Sequence, residues 1–267
     1  MLKQLFTVIF FLVTIISQAQ TTDEQGRKQG YWKKKDPKTN ALLYEGLFKD
    51  DKPLGVFKYY NINDSLKAKM HFVKEGKVAY ATLYHLNGKR MAAGKYITEI
   101  KDSVWHYYDE NGILISQENF INGKKEGKSF VYFPDGTISE EYHFKNGLKE
   151  GAFKQYFDKT HIRGEGTYVK GELEGKNAYY YPNGNTVAVG FYSNGYKKGP
   201  WIYRDANGKL KEKEWYKEKG ELASEKEAEA FFAKAKINTE EKKVKEPESK
   251  NNTNKKKDLK GTTNKKK

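Results

Sequence analysis

The 267-residue sequence contains no cysteine, which excludes disulfides, Cys-ligated zinc, thiol catalysis and a lipidated cysteine. Apolar residues are scarce too, at 37% against a usual ~45–50%, so one large central core is not expected. Long hydrophobic runs are confined to Leu5–Ile16, whose 12 residues fall short of the about 20 that span a bilayer. What the chain has instead is rings. Aromatics make up 15% of it, with 20 Tyr, 15 Phe and 4 Trp, and that excludes wholesale disorder. It also carries an excess of positive charge, 50 Lys and Arg against 35 Asp and Glu.

The two ends differ from the middle. A short apolar run after Lys3, followed by Ser17-Gln18-Ala19, has the form of a secretory signal peptide (residues 1–19) cut after Ala19. Export to the periplasm, the envelope or the exterior is therefore expected. No other stretch is apolar enough to span a membrane. At the far end, Asn238–Lys267 holds 11 Lys, four Glu, one Asp and no aromatic. Such a segment buries too little to offset its chain entropy and is expected to be disordered. It is either a solvated tail or an electrostatic arm for an anionic surface, such as lipid headgroups or acidic polysaccharide. Export argues against nucleic acid as the partner.

Between the ends the chain repeats. Starting points fall at Gly30, Gly55, Ala79, Ser103, Gly127, Gly151, Gly175 and Gly199. The first spacing is 25 residues and the next six are 24, with the extra residue placed within Asp36–Asn40. A fixed period of this size signals a repeat architecture. Counting each start as position 0, position 17 is aromatic in all eight repeats, from Phe48 to Tyr216. Position 5 is Tyr in six in a row: Tyr60, Tyr84, Tyr108, Tyr132, Tyr156 and Tyr180. Position 11 is aliphatic in six, for example Leu66, Leu114 and Ile138.

Asn-Gly or Asp-Gly recurs at positions 8 and 9, as in Asn87-Gly88 and Asp135-Gly136. It recurs again at positions 19 and 20, as in Asn122-Gly123. These pairs favour tight hairpin turns because both residues tolerate positive φ. Each repeat is then two short strands, and residues 30–220 form an all-β, elongated antiparallel hairpin array of about 16 strands. A two-residue loop at 8 and 9 sets position i opposite 17 − i, so an aromatic ring faces each Gly, Ala or Ser start. Without bulges, positions 2, 4, 11 and 17 share an apolar face, and positions 3, 5, 12, 14 and 16 share a polar face through which the Tyr column runs. Residues 20–29 read as a linker. Glu221–Ile237 has good helix formers and reads as a capping helix, with Leu222, Phe231 and Phe232 free to dock on the last hairpin.

The repeats resemble MORN repeats in their bacterial variant form. The stretches that carry the likeness are GKSFVYFPDGTISEEYHFKNGLKE from Gly127 and GKNAYYYPNGNTVAVGFYSNGYKK from Gly175. Two repeats depart from the pattern, with Asn63-Asp64 and Lys159-Thr160 at the first turn. The resemblance implies a hairpin array used for protein scaffolding or for acidic lipids. Bacterial chains of this kind are similar to the YwqK family, and that likeness implies an antitoxin that binds a toxin protein.

No catalytic site, cofactor site or metal site is expected. His71, His85, His106, His143 and His161 fall at scattered positions, with no pair at metal-ligand spacing. Asp102, Glu126, Glu150 and Glu174 recur at position 23 and are better explained as turn-side charges than as acid–base pairs. The leading reading is a non-enzymatic exported binding or scaffold protein, whose partner is a protein or an extended polymer. The six tyrosines of position 5 are either its binding row or a second packing spine. The alternatives are an antitoxin-like immunity protein and an envelope-surface binder acting through the tail.

Overall fold

The computed structural model describes residues 20–234. The expected signal peptide and Lys-rich tail lie outside the described residues. The described residues divide into two compact units, 20–221 and 222–234.

The first unit is one antiparallel sheet of 19 strands. Apart from β1 (Thr21–Thr22), each repeat supplies two strands in chain order. The hairpins are β2 (Lys28–Lys35) with β3 (Leu42–Lys49), and β4 (Lys52–Tyr60) with β5 (Leu66–Val73). Next come β6 (Val78–Tyr84) with β7 (Arg90–Ile97), and β8 (Ile100–Tyr108) with β9 (Leu114–Ile121). The fifth hairpin is β10 (Lys124–Lys125) and β11 (Gly127–Tyr132) with β12 (Ile138–Lys145), and the sixth is β13 (Leu148–Lys149) and β14 (Gly151–Tyr156) with β15 (Ile162–Val169). The last two are β16 (Glu172–Tyr180) with β17 (Thr186–Ser193), and β18 (Tyr196–Arg204) with β19 (Leu210–Tyr216). The short strands β10 and β13 are continued by β11 and β14 beyond an interruption at Glu126 and Glu150, so the repeats hold the expected 16 strands. Residues 20–29 also join the sheet, because Thr21 pairs with Gln29 and Thr22 with Lys28.

The expected pairing of position 0 with position 17 holds in every hairpin. Gly30 faces Phe48, Gly55 faces Phe72, Ala79 faces Tyr96 and Ser103 faces Phe120. Gly127 faces Phe144, Gly151 faces Tyr168, Gly175 faces Tyr192 and Gly199 faces Tyr216.

The first turn differs from the two-residue form. The Gly88 N–H donates to the His85 carbonyl, and the His85 N–H to the Lys89 carbonyl. That is a three-residue loop, in which only Gly88 has positive φ, at 80°. A bulge at position 12 then restores the expected register, as where Tyr59 pairs with Ala68 but Tyr60 with Leu66, leaving Lys67 over. The bulge overturns one face assignment. The aliphatic residues of position 11 pair with the tyrosines of position 5 (Tyr108 with Leu114, Tyr132 with Ile138), so they lie on the tyrosine face and not on the aromatic one.

The second turns are two-residue loops with both residues at positive φ, as in Asn122 (49°) and Gly123 (78°). Each is followed by a second bulge at the repeat start. Between β7 and β8, Ala93 pairs with His106 and Lys95 with Asp102, so three residues from Ser103 to Trp105 oppose Gly94 alone. This bulge puts position 0 at positive φ, and Gly there avoids the cost a side chain would bring. The ladder between β5 and β6 has no shift. There the turn takes four residues, Lys74–Lys77, and the start is Ala79, which is absent from the positive-φ set. Two residues have moved from the bulge into the turn, and the period stays 24.

In the second unit a helix covers 225–234. Ser224 opens it with a capping box: its N–H and Oγ both donate to Glu227 Oε2, at 2.8 and 2.7 Å. The helix therefore begins four residues later than the sequence pattern gave, because residues 221–224 serve as its entry.

Candidate functional site

The aromatic face is built from positions 2, 4, 13, 15 and 17. Trp105, Trp201 and Phe57 are buried almost completely, together with Ala68, Ala92 and Ala188 at position 13. Several rings meet edge to face, as do Phe48 with Phe57 (5.0 Å between centroids), Tyr96 with Trp105 (4.9 Å) and Tyr192 with Trp201 (5.1 Å). Where a bulged start is followed by Phe57, Trp105 or Trp201 at position 2, the ring swings over position 15 of the preceding repeat. That is why Gly46, Gly94 and Gly190 carry no side chain: a Cβ there would overlap Phe57, Trp105 and Trp201. Where position 15 is larger, position 2 shrinks or stacks. Ala81 pairs with Met70, and Tyr142 stacks on Phe153 at 6.0 Å. Asn177 is the exception, buried beside Gly166 with its Oδ1 unpaired and its Nδ2 donating to Gly175 O at 3.1 Å.

A column of lysines crosses this face two residues before the repeat start. Lys28 lies 4.8 Å from the Phe48 centroid, and Lys101 lies 4.6 Å from Trp105. Lys125 lies 5.1 Å from Phe144, Lys149 3.7 Å from Tyr142 and Lys197 4.7 Å from Trp201. Each ammonium rests on ring faces, and burial lowers the pKa of Lys101 and Lys149. Lys101 and Lys197 also donate to the hydroxyls of Tyr107 (2.8 Å) and Tyr203 (2.7 Å). Burial raises both phenols well above their usual value. Sequence reasoning missed this column, because lysine is abundant throughout the chain; the recurrence at a fixed position was the available signal.

Two cavities open on the aromatic face of the second and third repeats. One, of about 520 Å3, has Tyr44, Phe48, Phe57, Tyr59 and Phe72 as its floor. The other, of about 350 Å3, is lined by Met70, Ala79, Leu83 and Tyr96. Both are bounded by Tyr59, Phe72, Gly76, Lys77 and Glu99. The second lies in the repeat whose position 2 is Ala81, where Phe57, Trp105, Phe153 and Trp201 stand in other repeats.

The six tyrosines of position 5 stand on the other face, and all are half-buried. The structure keeps them in one column, at equivalent places near the first turn. Tyr60 donates to Glu45 Oε1 at 2.7 Å and Tyr180 to Glu165 Oε1 at 2.8 Å. Both phenols are pushed up to about 12, first by burial and then by the carboxylate they bond. Arg90 lies 5.3 Å from the Tyr108 ring.

The position-23 carboxylates have a structural use. Glu126, Glu150 and Glu174 accept the N–H of Asn146, Lys170 and Asn194 at 2.7, 2.7 and 2.8 Å, each at the next second turn. Asp102 bonds Lys95 at 3.0 Å and Ser103 at 2.8 Å. Among the described residues no group of three or more His, Asp or Glu is placed to hold a metal. His85 and His143 hydrogen-bond to the carbonyls of Tyr108 and Ala152, and His161 bonds Asp158. Among the same residues no helix is long and apolar enough to cross a membrane.

The MORN repeat variant matches residues 101–122 and 125–146, which coincide with the hairpins of the fourth and fifth repeats. No curated protein matches the chain. Among solved structures, a mutant of S. aureus TarM in complex with Fondaparinux, alpha-GlcNAc-glycerol and UDP is similar at 14% identity and TM-score 0.29, over 36% of this chain and 19% of that one. A second TarM structure is similar at 16% identity and TM-score 0.27, over 35% and 20%. This chain spans about a fifth of the length of those two.

Proposed function

We propose that the protein is an exported, non-enzymatic binding or scaffold protein that holds a protein or an extended polymer along its repeat sheet. The observation that carries this reading is the pair of adjoining cavities on the aromatic face. They are concave, ring-floored and edged by charge, as binding clefts commonly are. The MORN repeat variant in the middle of the array agrees with a scaffold role. Export rests on the leader read from residues 1–19.

Two experiments test it. Mass spectrometry of the protein from its own cells should find Gln20 as the first residue; a chain still starting at Met1 sinks the export claim. The mature chain should capture a partner from envelope fractions. The tyrosine row is examined with Tyr108→Ala combined with Tyr132→Ala. If the row binds, capture falls while melting barely changes; if the variant melts far earlier, the row is a packing spine and the partner lies on the aromatic face.

A further inference from the structure

The lysine column is broken at consecutive repeats, and the breaks coincide with the cavities. In the ladder, Lys101 pairs with Tyr96, Lys125 with Phe120, Lys149 with Phe144 and Lys197 with Tyr192. At the equivalent place opposite Phe48 stands Pro53. One repeat further on, the lysine is present as Lys77, but the four-residue turn takes it out of the ladder. Among the described residues the Lys77 ammonium makes no cation–π contact, although the residue borders both cavities. In the repeat from Gly175 the place is filled by Leu173, opposite Tyr168. The cavity of about 520 Å3 is therefore the place of the missing ammonium over Phe57, Tyr59 and Phe72, and the cavity of about 350 Å3 is the next such place, over Tyr96.

Five lysines of the chain show what chemistry these rings accept. Each is a primary ammonium 3.7–5.3 Å from a ring centroid, partly withdrawn from water. The charged groups around the larger cavity are Asp51, Lys52, Glu75, Lys77 and Glu99. Lys52 is bound to Glu75 at 2.7 Å, so Asp51 and Glu99 outnumber Lys77 at the mouth. The balance favours a cation at the larger cavity, while Lys77 and Glu99 offset each other at the smaller one, where the ring of Tyr96 carries the recognition.

Resting on the binding function proposed above, we propose that the two adjoining cavities take primary ammonium groups, supplied by lysine side chains of a bound extended polypeptide. Equivalent places in successive repeats are two strands apart, about 9.5 Å at the usual strand spacing. A polyproline II chain brings every third side chain to the same side at about 9.3 Å. The site thus fits lysines three residues apart in such a segment, with one ammonium over Phe57, Tyr59 and Phe72 and the next over Tyr96.

The test uses a capped Lys-Pro-Pro-Lys peptide and the same peptide with both side-chain amines acetylated, titrated calorimetrically into the mature chain at low salt. The free-amine peptide should bind at least about tenfold tighter than the acetylated one. Pro53→Lys, which restores the chain's own ammonium over the rings, should weaken binding of the free-amine peptide by a similar factor without lowering the melting temperature. Pro53→Gln, which removes the proline ring without adding charge, should keep the affinity and so separates occupancy from damage. Equal binding of both peptides would overturn the ammonium assignment and leave the cleft as a binding site. Unchanged affinity in Pro53→Lys would overturn the placement. Absence of binding by either peptide at millimolar concentration would overturn the inference, while partner capture by the whole sheet decides the broader reading separately.

Discussion

The indole of Trp105 lies over Gly94, a residue of the preceding repeat on the neighbouring strand, with no room for a Cβ between them. The bulge from Ser103 to Trp105 brings the ring there, so one contact joins a backbone irregularity, a glycine and the most buried side chain of the array. Gly94→Ala must therefore push the indole off its seat. The expected cost is about 1–3 kcal/mol, seen as a lower urea midpoint with unchanged slope. An unaltered midpoint would show that the ring moves freely and that the glycine is incidental.

The repeat starts allow a paired experiment. Ser103 is held at φ 59°, the conformation its counterparts give to glycine. A non-glycine residue there costs about 1–2 kcal/mol, partly matched by the entropy a glycine loses on folding. Ser103→Gly should thus raise stability by about 0.5–1 kcal/mol, less any contribution from its bond to Asp102. Ala79 sits where the bulge is missing, so Ala79→Gly should lower stability by about 0.5–1 kcal/mol. Thermal melts of the two variants should move in opposite directions.

Glu45 is a buried carboxylate whose pKa is held below the ordinary value, first by the Tyr60 hydroxyl and against the cost of its own burial. Its folded-state value is depressed, so the stability it adds is present above the usual carboxylate range and is lost as pH falls through the lowered value. Tyr60→Phe removes the leading cause. The variant should be less stable by about 1–2 kcal/mol near pH 7, and the difference should shrink on acidification below about pH 4. A difference independent of pH would mean the ring, not the hydroxyl, supplies the effect.

The lysine column should stabilise the aromatic face from inside. Lys101→Met keeps most of the aliphatic stem and removes the ammonium over Trp105 and the bond to Tyr107. A loss of about 0.5–2 kcal/mol is expected in a chemical melt. A more stable Lys101→Met would show that desolvating the ammonium outweighs its ring and hydroxyl contacts.

Much of this was legible in the sequence because β periodicity is two and the repeat is 24 residues. The pairing of Gly30 with Phe48, and of each later start with its aromatic, was legible because the bulge offsets the longer loop and leaves the counted register in place. The loop size did not follow, because Asn87-Gly88 suits a two-residue turn and a three-residue one equally well, and only Gly88 needs positive φ in the second. That difference carries the bulge at Lys67, which turns Leu66 to the face of Tyr60. Gly94 and its equivalents were hidden for another reason. A close approach between a ring and a glycine 11 residues earlier becomes visible only once the bulge is known.

The exchange of two residues between bulge and turn at Lys74–Ala79 has a consequence for how such a chain can change length. A repeat can lose its bulge and lengthen its turn, or do the reverse, without altering the count between rings. Gains or losses of whole 24-residue blocks leave every ring facing its glycine, whereas an isolated one-residue insertion inside a strand would displace all the rings beyond it to the wrong side. The additional residue of the first repeat sits where it does no such harm, in the loop between Asp36 and Ala41. The array is in this sense a measuring tape whose divisions are fixed, while the stitching at each division is free to vary.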